Sequence, residues 1–311
     1  MIFRLTVGVG FPHPYLREHP VLAYTIIFQG SRPDARMSKI WLALTIGNSR
    51  LHWGLFTGET LMHTWNSNYV GADAVQQLAE YRGTGQWGIG NNEKEMEILL
   101  ASSPPIPIAL ASVVPAQTQI WQSYPDVEII TLDNIPIKAM YPTFGIDRAL
   151  ALLGAGSFFG FPVMVIDTGT ALTFTSADNN ENLIGGAILP GLGLQLATLA
   201  TQTGQLPNVK LPEQLPPRFA LNTPEAMQSG VIYTLVAGIQ DFLQAWWQDF
   251  PNGKVVITGG DRTLIIEYLR SLFPEIAERI DVEANLIFWG MREILRIGDG
   301  FTIKVVRSPT S

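Results

Sequence analysis

Apolar positions recur along this chain in two rhythms. Runs of strand length fall at 40–46, 51–56, 107–114, 127–132, 163–167, 171–175 and 254–258, bounded by glycine, proline and small polar residues. Between them, helical spacing predicts helices over about 72–82, 92–101, 146–156, 224–249, 262–271 and 284–296. This alternation marks an α/β protein. The segment 204–220, with Pro207, Pro212, Pro216 and Pro217, predicts a long ordered loop rather than an interdomain linker.

Two strand pairs share one plan. "LALTIGNSRLHWGLF" (42–56) and "VMVIDTGTALTFTSA" (163–177) each run from an apolar strand through a glycine-containing turn into a returning strand. Thr45 aligns with Asp167, Gly47 with Gly169, and Asn48 with Thr170. Such a repeat predicts two related halves facing each other across a cleft. A glycine in each turn lets the backbone approach a ligand, and neighbouring N–H and hydroxyl donors suit phosphate oxygens. A third signal is "KVVITGGD" (254–261), a buried strand ending in Thr258-Gly259-Gly260 with Asp261 at a helix start. Two glycines there permit a flat ligand or a phosphate to lie against the backbone. Taken singly, each signal also fits an ordinary hairpin or strand-to-helix turn.

Composition narrows the chemistry. The 311 residues, 47% hydrophobic, suffice for one large domain or two of ordinary size. Twenty Lys+Arg against 27 Asp+Glu, with no basic cluster, argue against a nucleic-acid surface. The absence of cysteine excludes disulfides, thiolate catalysis and Cys-ligated metal sites, and permits a reducing compartment. His13, His19, His52 and His63 all lie in the first fifth of the chain, so chemistry beyond it must use carboxylates, hydroxyls, amides or bound cations. The uncharged stretch Ala149–Ile166 approaches the length of a membrane span, but Gly154, Gly156, Gly160 and Pro162 interrupt it. A buried helix, a turn and a buried strand are expected there. Residues 1–36 lack the plan of a signal peptide. They are expected either to precede the true start at Met37 or to form a poorly ordered extension.

Other motifs carry less. "GTGQWG" (83–88) follows a helical pattern rather than a strand, and no G-x-x-x-x-G-K-[ST] loop exists. Ser112 and Ser229 have no evident histidine and carboxylate relay.

"YPTFGIDRALALLGAG" (141–156) puts Gly145-Ile146-Asp147-Arg148 at the start of an apolar helix. A first-turn carboxylate sits where the helix N-terminus favours negative charge, and it can accept a proton from an alcohol. A capping aspartate is the structural alternative. In "LNTPEAMQSG" (221–230), Thr223 is the expected N-cap, with Pro224 at the first helical position and Glu225 next.

In this order, the Gly-Asn-Ser turn, Gly-x-Asp-Arg, Asp-x-Gly-Thr-Ala, "GGAILPG" (185–191), Asn-Thr-x-Glu-x-x-x-Ser-Gly and Thr-Gly-Gly resemble type III pantothenate kinase across roughly residues 40–300. The resemblance implies two related actin-like, ribonuclease H-like lobes, 37–156 and 157–307, with a cleft between them. It also implies a cytoplasmic homodimer that phosphorylates the primary alcohol of pantothenate with ATP, the first step of coenzyme A synthesis, and has neither nucleic acid nor membrane as partner. By that resemblance Thr45, Ile46, Gly47, Asn48, Ser49, Arg50, Leu51 and His52, with Thr170, match ATP contacts. Asp147 matches the proton acceptor; Tyr141, Gly145, Ile146, Asp147 and Arg148 match pantothenate contacts, and Thr223 a contact offered by the partner subunit. Asp167 matches the ligand of a monovalent cation, K+ or NH4+, while Mg2+ accompanies ATP.

One position departs from the pattern. The family's first motif normally opens with aspartate, and here it opens with Thr45. A threonine hydroxyl can donate to a phosphate oxygen or hold a water on magnesium, but it supplies no negative charge. Either Asp167 and the nucleotide's phosphates suffice to hold the cation, or the chain is a ligand-binding or regulatory relative without turnover. A different small-alcohol kinase of the same superfamily is a further alternative.

Overall fold

The computed structural model describes residues 4–6, 25–27, 40–80 and 105–298. The expected start at Met37, the GTGQWG segment and the helix expected over 92–101 lie outside the described residues. Two short strands, β1 (Arg4–Thr6) and β2 (Thr25–Ile27), pair antiparallel.

The remaining strands form two five-stranded sheets of the same plan. The first holds β3 (Ile40–Ile46), β4 (Leu51–Thr57), β5 (Thr60–Ser67), β6 (Ile108–Ser112) and β7 (Val127–Ile129), in the order β5-β4-β3-β6-β7. The second holds β8 (Val163–Thr168), β9 (Ala171–Ala177), β10 (Leu183–Pro190), β11 (Lys254–Thr258) and β12 (Asp281–Val282), in the order β10-β9-β8-β11-β12. In each, a three-stranded antiparallel meander is extended by two parallel strands. The repeat expected from the two hairpins therefore extends through both sheets, as the two-lobed α/β fold requires.

β3 and β8 are apolar almost throughout because both faces of each sheet are covered. On the outer face of the first sheet, Leu42, Leu44, Trp53 and Leu110 pack with Val75 and Leu78 of α1 (Ala72–Glu80) and Trp121 of α2 (Pro115–Trp121). On that of the second, Met164, Ile166 and Val255 pack with α4 (Leu192–Gln202), α5 (Thr223–Asp249), α6 (Arg262–Leu272) and α7 (Pro274–Ala277). Between the sheets lie α3 (Ile146–Phe159) and α8 (Leu286–Gly298), which share a core with Ala43, Phe56, Val163 and Val165. Because sheets flank it, α3 buries apolar residues around its whole circumference.

α3 and α8 cross at backbone contact. A Cβ on Gly154 would lie 2.0 Å from Leu286 O, and one on Gly290 would lie 2.1 Å from Leu150 O. The uncharged stretch 149–166 forms most of α3, buried through Gly156 and exposed at Ser157 and Phe158, then a turn and the buried β8, so helix, turn and strand are as expected. No described helix is long and apolar enough to cross a membrane.

Several elements were not legible in the periodicity. β10 contains Gly185, Gly186 and Pro190, residues that disfavour strands. It forms because it is an edge strand and because Gly186 lies so flat on β9 that a Cβ there would fall 1.9 Å from Phe174 O. β5 is likewise an edge, with half-exposed polar residues that hide its alternation. The start of α5 needs a correction: Asn222, not Thr223, is the N-cap, since its Oδ1 accepts the Glu225 N–H at 3.0 Å. Asparagine is the stronger cap, which moves Thr223 to the first helical position.

The loop 204–220 is ordered, as expected. Its carbonyls at Lys210, Pro212, Pro216 and Arg218 accept hydrogen bonds from Gln228, Tyr268, Tyr233 and Ser229 respectively. Trp246 belongs to the second core rather than to the surface.

Candidate active site

The two glycine turns meet where the sheets face each other. Ser49 Oγ of the first lies 3.5 Å from Thr170 Oγ1 of the second. Ile46 pairs with Leu51, whereas Thr168 pairs with Leu172, so the first turn is one residue longer and reaches across to the second. The "GGAILPG" segment ends against the second turn: Gly191 N–H donates to Thr170 O at 2.9 Å, and a Cβ on Gly191 would sit 2.2 Å from Gly169 O. Tyr69 OH donates to Gly47 O and braces the first turn.

Beneath the turns a cleft of about 440 Å³ runs between the lobes. Its first wall is a row of side chains across three strands, Thr45 of β3, His52 of β4 and Asn66 of β5. Adjacent registered positions share a face, so the row follows from the pairing. Thr45 is 7% exposed. His52 Nδ1 donates to Asn66 Oδ1 at 2.6 Å. Burial is the main effect that lowers the His52 pKa; the Asn66 hydrogen bond opposes it, and Arg50 adds to it.

The opposite wall comes from the C-terminal ends of β8 and β11. Asp167 and Thr258 are register partners there, followed by the turns at Gly169 and Gly259-Gly260. Gly259 has φ +91°, and a Cβ on it would approach Asp167 Oδ1 to 2.5 Å, so glycine is required by both conformation and space. Burial first, and the neighbouring Asp147 charge second, push the Asp167 carboxyl up to about 6.

Asp147 enters the cleft from the first turn of α3. Its Oδ1 accepts the Arg148 N–H at 2.8 Å, and among the described residues no protein donor meets Oδ2. The cap residue Gly145 makes room, since a Cβ there would stand 2.5 Å from Oδ1. Arg148 turns away into the protein: Nε donates to Thr175 Oγ1 at 2.9 Å, Nη1 to Tyr141 OH at 3.1 Å and Nη2 to Phe174 O at 3.3 Å. It thereby ties the start of α3 to β9. Among the described residues no group of three His, Cys, Asp or Glu gathers to hold a metal. The cleft instead offers two neighbouring carboxylates, one of them enclosed, beneath two turns rich in hydrogen-bond donors. That combination suits a polyphosphate, a cation and an alcohol to be deprotonated.

A family model for type III pantothenate kinase matches residues 41–245. The chain belongs to the type III pantothenate kinase family. A Nostoc type III pantothenate kinase is 57% identical over 261 residues, 82% of this chain and 94% of the relative. One from Synechocystis is 43% identical over 263 residues, 84% of this chain and 92% of the relative. A Campylobacter jejuni structure described as a Baf family transcriptional activator superposes with TM-score 0.52 at 19% identity, covering 84% of this chain and 100% of the other. At that identity the likeness is one of fold.

Within this pantothenate kinase family member, the expected site residues fall into distinct places. Thr45, Ile46, Gly47, His52, Ile146, Asp147 and Asp167 line the cleft. Asn48, Ser49, Arg50 and Thr170 are exposed on the turns, and Leu51 points into the first core. Tyr141 stands half exposed with its hydroxyl on Arg148. Thr223 is exposed and does not line the cleft, nor does the loop 204–220. The cleft also contains residues that sequence reasoning did not select, notably Asn66, Arg262 and Asn285. No local signal marks Asn66, because the half-exposed polar residues of β5 hide its alternation.

Proposed function

We propose that this chain transfers the γ-phosphoryl group of ATP to the primary alcohol of pantothenate, forming 4'-phosphopantothenate for coenzyme A synthesis. The observation that carries this reading is the free Oδ2 of Asp147 beside Asp167 in the cleft beneath the paired turns. Asp147 accepts the proton of the alcohol and orients its oxygen toward the γ-phosphorus. The bond from that phosphorus to the β,γ-bridging oxygen breaks as the new P–O bond forms, and ADP leaves. A loose transition state asks the base chiefly for orientation. Donors of Asn48, Ser49 and Thr170 hold the phosphates, Gly47 and Gly169 shape the turns through their own N–H bonds to Arg50 O and Ala171 O, and closure of the lobes excludes water.

When bound, Mg2+ and a K+ or NH4+ ion supply positive charge against the phosphates and the carboxylates. Asp167 suits the monovalent ion because a carboxyl held high by burial and by Asp147 gains most from a nearby cation. With Thr45 the cleft lining has two carboxylates, Asp147 and Asp167, so Asp167 together with the nucleotide's phosphates would have to hold the cation. Arg148 acts through Tyr141 and the shape of the substrate end.

The proposal includes a cytoplasmic homodimer in which Thr223 of one subunit reaches pantothenate bound to the other. Phe219, 90% exposed, and the fully exposed Leu221 beside it are the kind of surface a partner subunit would cover. The test is mass-spectrometric detection of phosphopantothenate made by the full chain from ATP, magnesium and pantothenate, with and without potassium or ammonium. Nucleotide binding without product under every cation condition would replace the kinase with a ligand-binding relative. Phosphorylation of a different small alcohol in competition would reassign the acceptor.

A further inference from the structure

The phosphate-handling turns face a cleft that already contains Asp147 and Asp167, yet a nucleotide brings several further negative charges. Of the described residues lining the cleft, Arg262 is the one lysine or arginine. It occupies the first position of α6, separated from the Thr258-Gly259-Gly260 turn by the cap residue Asp261. Its Nη1 donates to Gly259 O at 2.8 Å, which holds the guanidinium against that turn. A guanidinium has five N–H donors, and no carboxylate among the described residues pairs with this one.

The surroundings define what the remaining donors can meet. A Cβ on Gly259 would fall 2.5 Å from both Asp167 Oδ1 and Thr168 N, so this turn packs closely on the end of β8, and Asp261 N–H donates to Thr168 O at 3.0 Å. The turn that carries Arg262 is thereby fastened to the end of β8, directly before the second glycine turn. The preceding Asp261 offers no side-chain cap to α6, so the first N–H groups of that helix are not satisfied by it. A forked cation beside glycine backbone and a helix start matches a phosphate in charge and in donor geometry.

We infer that Arg262 is a binding residue for the polyphosphate of the nucleotide, gripping it from the side opposite the Thr45–His52–Asn66 row. This rests on the kinase reading for the identity of the ligand. It assigns to α6 a fixed positive charge inside the cleft, whereas Arg50 of the first turn is exposed outside the cleft lining and the second turn carries no basic residue. Thr45 makes that charge more consequential, because a cleft with one carboxylate fewer recruits less cation of its own.

Calorimetric binding of ADP and of adenosine to the full chain, with Arg262→Gln and Arg262→Lys beside the wild type, tests this without requiring turnover. The expected result is an ADP affinity about tenfold or more weaker in Arg262→Gln, as for loss of one charge-assisted hydrogen bond. Arg262→Lys should recover part of it, adenosine binding should not change, and melting temperatures should match. Where turnover is measurable, KM for ATP should rise while KM for pantothenate stays constant. Unchanged ADP affinity in Arg262→Gln would overturn the assignment. An equal loss for ADP and adenosine would overturn it too, because the side chain would then meet base or ribose. Wild-type binding of ADP without phosphorylation of pantothenate would remove the kinase reading and leave the inference about Arg262 standing.

Discussion

Ser49 and Thr170, 121 residues apart in sequence, bring their hydroxyls to 3.5 Å across the mouth of the cleft. At that length the contact adds little to stability. Its significance is convergence: two turns from separate sheets present donors to one small volume. Thr170→Ala should raise KM for ATP by about five- to tenfold, with a melting temperature near that of the wild type. Combining it with Ser49→Ala should give less than the product of the single effects, because both hydroxyls address the same phosphates. Full additivity in steady-state kinetics would mean that they serve separate groups.

Asp147→Asn keeps the oxygen that accepts the Arg148 N–H and removes only the basic one. The expected loss in kcat is about a hundredfold or more, with KM for ATP and thermal stability nearly unchanged. A variant retaining full turnover would show that the alcohol proton leaves by another route.

Asp167 yields a prediction about pH. Its carboxyl is raised from 3.8 to about 6, so the folded protein holds that proton more tightly than the unfolded chain. Stability from this group is therefore full below about pH 3.8 and lost as pH rises through about 6. In metal-free protein Asp167→Asn should be more stable than the wild type at pH 7.5 by roughly 1–3 kcal/mol. The difference should shrink as pH falls toward 5. Urea midpoints across that range measure it, and a variant less stable at every pH would contradict it.

Thr45→Asp places a further carboxylate on the cleft wall, at a position that is 7% exposed. Without metal the variant should lose roughly 1–3 kcal/mol of stability, as burial of an unpaired charge requires. With ATP it should reach half-maximal activity at several-fold lower magnesium. An unchanged magnesium titration would show that Asp167 and the nucleotide already satisfy the cation.

Gly154→Ala and Gly290→Ala address the contact between the lobes. Each new Cβ would lie about 2 Å from a carbonyl oxygen of the facing helix. The helices must separate, and each variant should lose roughly 2–4 kcal/mol. Thermal denaturation reads this directly. Wild-type stability in both would mean that the crossing relaxes freely.

Much of this protein is legible along the chain. Runs such as Leu42–Ile46 and Val163–Asp167 announce strands buried on both faces. The match of Gly47 with Gly169 announces the repeat, and Gly145-Ile146-Asp147-Arg148 announces a carboxylate at a helix start. These features are local: they depend on side-chain period, on glycine in a turn and on which end of a helix carries charge. β10 escaped because its glycines disfavour a strand until Phe174 and its neighbours are there to receive them. Thr223 was misplaced as a cap because two adjacent residues can both cap, and only the Asn222 hydrogen bond decides between them.

The sequence by itself determined the element types, the repeated turns and the two carboxylates, because each is encoded within a few neighbouring residues. Tertiary structure alone decided that Ser49 meets Thr170, that Asn66 fixes His52, that Arg148 faces inward, and that Arg262 enters the cleft. Those relations join segments brought together by strand order and by the crossing of α3 with α8. No local pattern contains them, since the energy that sets them comes from contacts between residues far apart in the chain.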